Sequence, residues 1–312
     1  MSKKDTRARN WKHYNKSLVQ RGSITLWVDP NCFSLSTPHK GRGRPRQYPD
    51  QFIQAGLVLK NVYQLPFRAL EGFLTSVLTL MSISVTAPNY TTLCRRQKGL
   101  IPPSLISKAR RHTKKVIVVD STGLKVYGEG EWCVKKHKKQ YQRTWRKLHL
   151  AVDGDTLQVL SCKLSSARTQ DGSLLEALLE DIPGELDTVI GDGAYDTFGC
   201  YEAVHARGGK AVFPPPERAR LSLETPYHRK AASLGAIEQR DAHLRCIREV
   251  GRTQWKKDVG YHRRSLVETT MYRLKGLLGE RFNARLDENR RLEMQIRCLI
   301  LNTMMENSID TS

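Results

Sequence analysis

Residues 116–121, VIVVDS, and 147–165, KLHLAVDGDTLQVLSCKLS, decide how this chain is read. The first is an apolar run of strand length, rich in Val and Ile, of the kind a sheet buries on both faces. The second holds two alternating segments around Asp153, Gly154 and Asp155, turn formers that fold such a pair into an antiparallel hairpin. Downstream, 171–182 (DGSLLEALLEDI) has a helical period and 187–196 (DTVIGDGAYD) is a short strand ending in a turn. Residues 197–209 (TFGCYEAVHARGG) form a helix closed by glycine, and 210–215 (KAVFPP) a strand stopped by prolines. The order of three strands, helix, strand, helix, strand predicts an α/β fold: a mixed sheet flanked by helices.

Working outward, 214–260 is polar and basic without clear periodicity and reads as a short insertion. From Tyr261 two helical patterns follow, YHRRSLVETTMYRLKGLLG and ENRRLEMQIRCLILNTMMEN. On the other side, DQFIQAGLVLKNVYQL and PFRALEGFLTSVLTL predict two helices, with Asp50 as an N-cap and Pro66 in a first turn. A third runs from Thr91 through Arg95 and Arg96, and the three together suggest a helix-turn-helix module. Residues 1–49, basic and polar with the run PHKGRGRPRQYP, read as a flexible arm. The expected organisation is a basic arm (1–49), a helical DNA-binding region (50–115) and a catalytic domain (116–312).

Charge narrows the function. The 312 residues carry 52 Lys and Arg against 31 Asp and Glu, net +21, so a polyanion is the default partner. The excess is uneven: 1–115 holds 21 basic and 4 acidic residues, whereas 116–312 holds 31 and 27. Phosphate neutralisation belongs to the first part; the second has carboxylates that would repel DNA unless metal ions covered them. No run of 18 apolar residues exists, which argues against a membrane protein, and the basic start leads into no apolar segment of a signal peptide. Seven cysteines, widely spaced and without a C-x-x-C pair, suggest neither a disulfide framework nor a zinc site. A cytoplasmic, nucleoid-associated protein is expected.

Three carboxylates stand out by position. Asp120 ends the first strand, Asp192 follows the fourth strand, and Glu268 lies in a later helix. Each has an ordinary alternative: a turn-starting aspartate, Asp-Gly turn chemistry, and an ion pair with Arg264 four residues before. Acids at the carboxyl ends of central strands, however, converge on the crevice where α/β sheets bind ligands. Tyr261, Arg264, Glu268 and Lys275 stand at offsets 0, 3, 7 and 14 and on one helix would share an arc of roughly 60° along about 21 Å. Such a polar strip can hold a metal near its middle and reach phosphates along its length.

Through VVDSTGLKVYGEGEW, VIGDGAYDT and the spacing Y-x2-R-x3-E-x6-K in YHRRSLVETTMYRLK, the chain resembles the DDE transposases of bacterial insertion sequences, family five and its neighbours. GRGRPRQYPDQFIQAGLVLK, LPFRALEGFL and YTTLCRR extend the resemblance over nearly the whole chain. It implies an RNase H-like catalytic fold, a triad of Asp120, Asp192 and Glu268, and contacts to transposon-end DNA from Tyr261, Arg264 and Lys275. The implied reaction is cleavage at inverted-repeat ends followed by joining of the 3′-hydroxyl to target DNA, with a homodimer acting on two ends. In an in-line displacement at phosphorus, two divalent cations about 3.5–4 Å apart can activate the attacking oxygen and stabilise the leaving one. Three carboxylates suit two Mg²⁺, with Mn²⁺ as a substitute, and Asp120 is expected to bridge them.

Further DNA contacts are expected from KKHKKQYQRTWRK (135–147), where Lys135, Lys136, Lys138, Lys139, Arg143 and Arg146 interleave with Tyr141 and Trp145. Arg42 and Arg44, in an RGRP string, suit a narrow minor groove. Trp255 is either a base-flipping wedge or packing. The competing functions are an RNase H-like nuclease without strand transfer and a non-enzymatic DNA-binding regulator.

Overall fold

The computed structural model describes residues 11–33, 47–101, 104–106, 115–126, 145–222 and 232–309. They form two compact units: residues 1–103 with 286–312, and residues 104–285. In the first lie α1 (Trp11–Gln20), α2 (Ile24–Trp27), α3 (Asp50–Val62), α4 (Phe67–Leu80) and α5 (Tyr90–Arg96). The described part of 1–49 is therefore not an arm. Trp27 is buried and donates its indole N–H to the Arg21 carbonyl at 2.9 Å, and Phe33 packs edge-on against Phe52 at 4.9 Å. Helix α3 begins one residue before expectation, with Pro49 in the cap position, and Pro66 caps α4. Helix α5 is capped by Asn89, whose side chain accepts from the Thr91 N–H at 2.9 Å, and not by Thr91.

The second unit is built on a five-stranded sheet in the order β3-β2-β1-β4-β5. Strands β1 (Lys115–Lys125), β2 (Trp145–Asp153) and β3 (Val159–Ser166) run antiparallel in sequence, while β4 (Leu186–Ile190) and β5 (Lys210–Val212) join parallel to β1. This is the mixed sheet that the sequence predicts. Asp153 starts the β2–β3 turn, its carboxylate accepting from the N–H groups of Asp155 and Thr156.

Helices α6 (Leu175–Glu180) and α7 (Phe198–His205) cover one face through a core that includes Ile117, Val119, Val189, Leu178 and Tyr201. Helices α8 (Leu234–Val250) and α9 (Arg252–Asp258) occupy the stretch read as a short insertion without clear periodicity. Their period is hidden because one buried position of α8 is Asp241, whose carboxylate accepts twice from the Ser222 N–H, and another is a small alanine, Ala236. Trp255 of α9 is fully buried beside Ile190 and Val212, so it is packing and not a wedge. Helix α10 (Ser265–Leu278) lies on β1 and β2 with Val267, Met271 and Leu274 inward. The last helix, α11 (Asp287–Ile309), packs on α1 and α3 in the first unit, a division the sequence reading does not make. Leu292, Met294, Ile296, Cys298, Ile300 and Leu301 are buried along it, so apolar surface on several sides must find partners among the N-terminal helices.

Candidate active site

Asp120 lies in the middle of β1 and not at its end. Pairing with β4 stops at Val118–Ile190, whereas pairing with β2 continues past Asp120–Leu150 to Lys125–Trp145. Asp120 therefore sits where the parallel neighbour has ended and the sheet opens. Asp192 follows β4 by two residues and caps a 3-10 turn, its side chain accepting from the Ala194 N–H at 2.9 Å. The approach is tight: a Cβ on Gly191 would lie 2.8 Å from the Tyr195 ring and 3.1 Å from Phe213, so only glycine leads the strand into this turn.

Glu268 comes from the first turn of α10, and three contacts set that helix. Arg263, just before it, pairs with Asp155 in the hairpin turn, where a Cβ on Gly154 would meet the guanidinium at 3.1 Å. Lys275 donates from Nζ to Thr122 Oγ1 at 2.6 Å. Beyond the helix, the chain exchanges backbone hydrogen bonds with Lys125 through Glu280 and Phe282. Both ends of the helix are thus tied to the sheet, and Glu268 is carried to Asp120.

Arg264 joins the two acids. Its guanidinium stands 2.5 Å from Glu268 Oε1 and 3.9 Å from Asp120 Oδ2. Burial raises the Asp120 carboxyl above the usual carboxylate range, and the negative charges of Asp192 and Glu268 push the same way. The Ser121 N–H, at 2.7 Å, and Arg264 only partly offset this. The acids thus form one electrostatic group with more negative charge than a single guanidinium balances.

Hard carboxylate oxygens with uncompensated charge suit Mg²⁺ or Mn²⁺ by donor type. Among the described residues, no three metal-ligating side chains converge closely enough to enclose an ion as they lie, with Arg264 between Asp120 and Glu268. The fit is one of charge and donor chemistry alone.

Tyr261 and Arg264 do not continue the helical strip. They lie in a 3-10 turn, Tyr261–Arg264, that precedes α10 after Gly260 at φ +65°. The Tyr261 ring packs 6.1 Å from Trp255 with the Lys256 ammonium over it, and its burial raises the phenol. Trp255 in turn donates to His243 Nδ1 at 3.1 Å, and His243 Nε2 reaches the Ala211 carbonyl at 2.7 Å, which fixes the neutral tautomer.

Residues 111–303 match the family described as Transposase DDE domain, and 19–129 match a second family of the same description. The chain belongs to the DDE transposases. Membership indicates a metal-dependent enzyme of DNA cleavage and strand transfer. The Mos1 transposase paired-end complex with left transposon end is similar over 75% of this chain and 82% of that one, at 10% identity and a TM-score of 0.22, too low to bear on the fold.

Of the other residues expected to touch DNA in this DDE transposase, Arg96 is committed internally. It pairs with Asp50 and donates to the Tyr48 carbonyl at 3.0 Å. Arg95 beside it is exposed, and Arg146 lies in β2. Arg42, Arg44, Lys135, Lys136, Lys138, Lys139 and Arg143 fall outside the described residues. Sequence reasoning passed over Thr122 and Arg263, which position α10. Thr122 was within reach, two residues after Asp120 and so on the same strand face. Among the described residues, no helix is long and apolar enough to cross a membrane.

Proposed function

We propose that this DDE transposase binds the inverted-repeat ends of its own insertion sequence as a homodimer, hydrolyses the DNA there and joins the freed 3′-hydroxyl to target DNA. The observation that carries the reading is the meeting of Asp120 and Glu268 on Arg264, with Asp192 acting on the same carboxyl. Asp120, Asp192 and Glu268 are the proposed ligands of two Mg²⁺ ions, which Mn²⁺ would replace. Bound metal would activate the attacking oxygen and stabilise the leaving one.

The chain's own groups do the rest. Thr122 and Lys275 hold α10 so that Glu268 faces Asp120, and the turn after β4 holds Asp192 rigid through Ala194. Arg264, released from the carboxylates, is free to take a phosphate of the end DNA as a planar two-pronged donor. Residues in 1–115 supply the charge that neutralises the phosphate backbone, and 135–147 adds a second basic stretch.

The test is incubation of the protein with DNA from the flanks of its reading frame, a target plasmid and Mg²⁺. Joined products are expected; cut products alone would indicate a nuclease, and shifted but intact DNA a regulator. Asp120→Ala, Asp192→Ala and Glu268→Ala should each abolish cleavage while end binding persists. Cleavage retained by any one variant removes that residue from the triad.

A further inference from the structure

Helix α10 carries an exposed ridge that the triad does not account for. Glu268, Tyr272 and Gly276 follow one another at intervals of four residues, each step about 6 Å along the axis and 40° around it. Tyr272 is 80% exposed, on a helix whose Val267, Met271, Leu274 and Leu278 already supply the packing. Gly276 is a helix-interior glycine that a Cβ would leave in open space, with no atom within 4 Å. Glycine there costs about 1 kcal/mol of helix propensity and relieves no crowding. An unburied aromatic ring and a bare stretch of backbone thus lie side by side, one and two turns beyond Glu268. Lys275, three residues after Tyr272, is turned to the sheet, where its ammonium donates to Thr122 Oγ1 at 2.6 Å, so it leaves the outer surface to the ring and the glycine.

We infer that Tyr272 and Gly276 form a stacking platform for an unpaired nucleobase of the strand held at the acidic site, the ring taking the base and the bare backbone leaving room for it. This rests on the reading of the site as one that acts on DNA. One turn of helix, about 6 Å, separates the platform from Glu268, the length of one to two nucleotides at about 3.4 Å each. A phenol ring is a sequence-tolerant partner, because every base has a π face. Tyr261 and Tyr195, the other described tyrosines near the acids, cannot serve: the first is packed on Trp255 and the second is fully buried against Phe213.

The test uses the full-length protein and a single-stranded oligonucleotide carrying 2-aminopurine, without divalent metal so that nothing is cut. Wild type and Tyr272→Phe should quench the fluorescence on binding; Tyr272→Ala should lose the quench and bind about 5- to 100-fold more weakly. Gly276→Leu should also weaken binding while its melting temperature stays at or above wild type, since leucine is the better helix former. Cleavage of end DNA by the same Tyr272 and Gly276 variants is read separately in Mg²⁺, so that loss of cleavage and loss of stacking are separate results. Wild-type quenching and affinity in Tyr272→Ala would overturn the platform, and wild-type affinity in Gly276→Leu would overturn the place assigned to the base.

Discussion

Arg264 stands between Asp120 and Glu268 and offsets part of their charge, so a divalent cation entering without DNA competes with a guanidinium. The Glu268 side chain is 53% exposed, and a pair this open to water is worth under about 1 kcal/mol. Arg264→Ala should therefore tighten Mn²⁺ binding to the DNA-free protein by about three- to fivefold in calorimetry; weaker binding would show that Arg264 supports the metal. His149 makes a second prediction. It is buried, with Nε2 2.8 Å from Ser165 Oγ and Nδ1 3.7 Å from Asp171, and burial pushes it down to about 4 against the opposing pull of Asp171, while Lys147 adds to the fall. Its folded pKa lies below the unfolded value of 6.5, so the unfolded chain takes up the proton first. Stability is full above about pH 6.5 and falls toward pH 4, by at most about 3 kcal/mol. His149→Gln should flatten that limb in urea unfolding between pH 7 and 4; an unchanged slope would place the acid sensitivity elsewhere. The three acids were legible in the sequence because each belongs to a readable element, an apolar strand, an Asp-Gly turn and a helix, although the structure moves Asp120 from the end of its strand to the middle and Glu268 to the first turn of its helix. The guanidinium between them reads in the sequence as an ion-pair partner of Glu268 and a DNA contact, since spacing along the chain shows nothing of Asp120.

Helix α10 presents Glu268 only as well as its ends are held. The bond from Lys275 to Thr122 is the contact that ties its second half to β1. A double-mutant cycle of Lys275→Met and Thr122→Val should give a coupling of about 0.5–1.5 kcal/mol in unfolding free energy, the net worth of such a bond. A coupling near zero would free Lys275 for the phosphate-binding role alone. At the head of the Asp192 turn, Gly191→Ala would force a methyl into the Tyr195 and Phe213 rings and should cost about 1–3 kcal/mol; a neutral result would mean that the turn yields easily. Strand and hairpin periods made the sheet legible, since β1 to β3 alternate or run apolar as buried strands do. The strip drawn through Tyr261, Arg264, Glu268 and Lys275 failed at one element boundary. Gly260 at φ +65° opens a 3-10 turn, so the first two residues approach the site by a different path from the last two.

For the molecule as a whole, the basic N-terminal helices are completed by residues from the far end of the chain. Lys60 of α3 is buried, which lowers its ammonium, and Glu293 of α11 counters that shift while itself paired with Arg297. A fragment ending near residue 103 lacks this cover. Residues 1–103 alone should therefore fold poorly, whereas the same fragment linked to 286–312 should fold and bind duplex DNA, with log K falling by about 0.9 per phosphate contact as log salt rises. Circular dichroism and a salt titration decide it: cooperative folding of 1–103 alone would deny α11 this role.

Composition, period and motif spacing determined that the chain is α/β with a mixed sheet, that most of its charge excess lies in the first 115 residues, and that three acids stand at strand and helix positions suited to one site. Such signals survive in a sequence because they are local, set by a strand's alternation, a helix's period or a turn's glycine. The partners of Arg264, the tether of α10 to Thr122, the hidden helices around buried Asp241 and the return of α11 to the N-terminal unit belong to tertiary structure alone. Each depends on groups far apart in the chain, and a polar side chain that is buried against a distant partner reads, until that partner is known, like one that faces water.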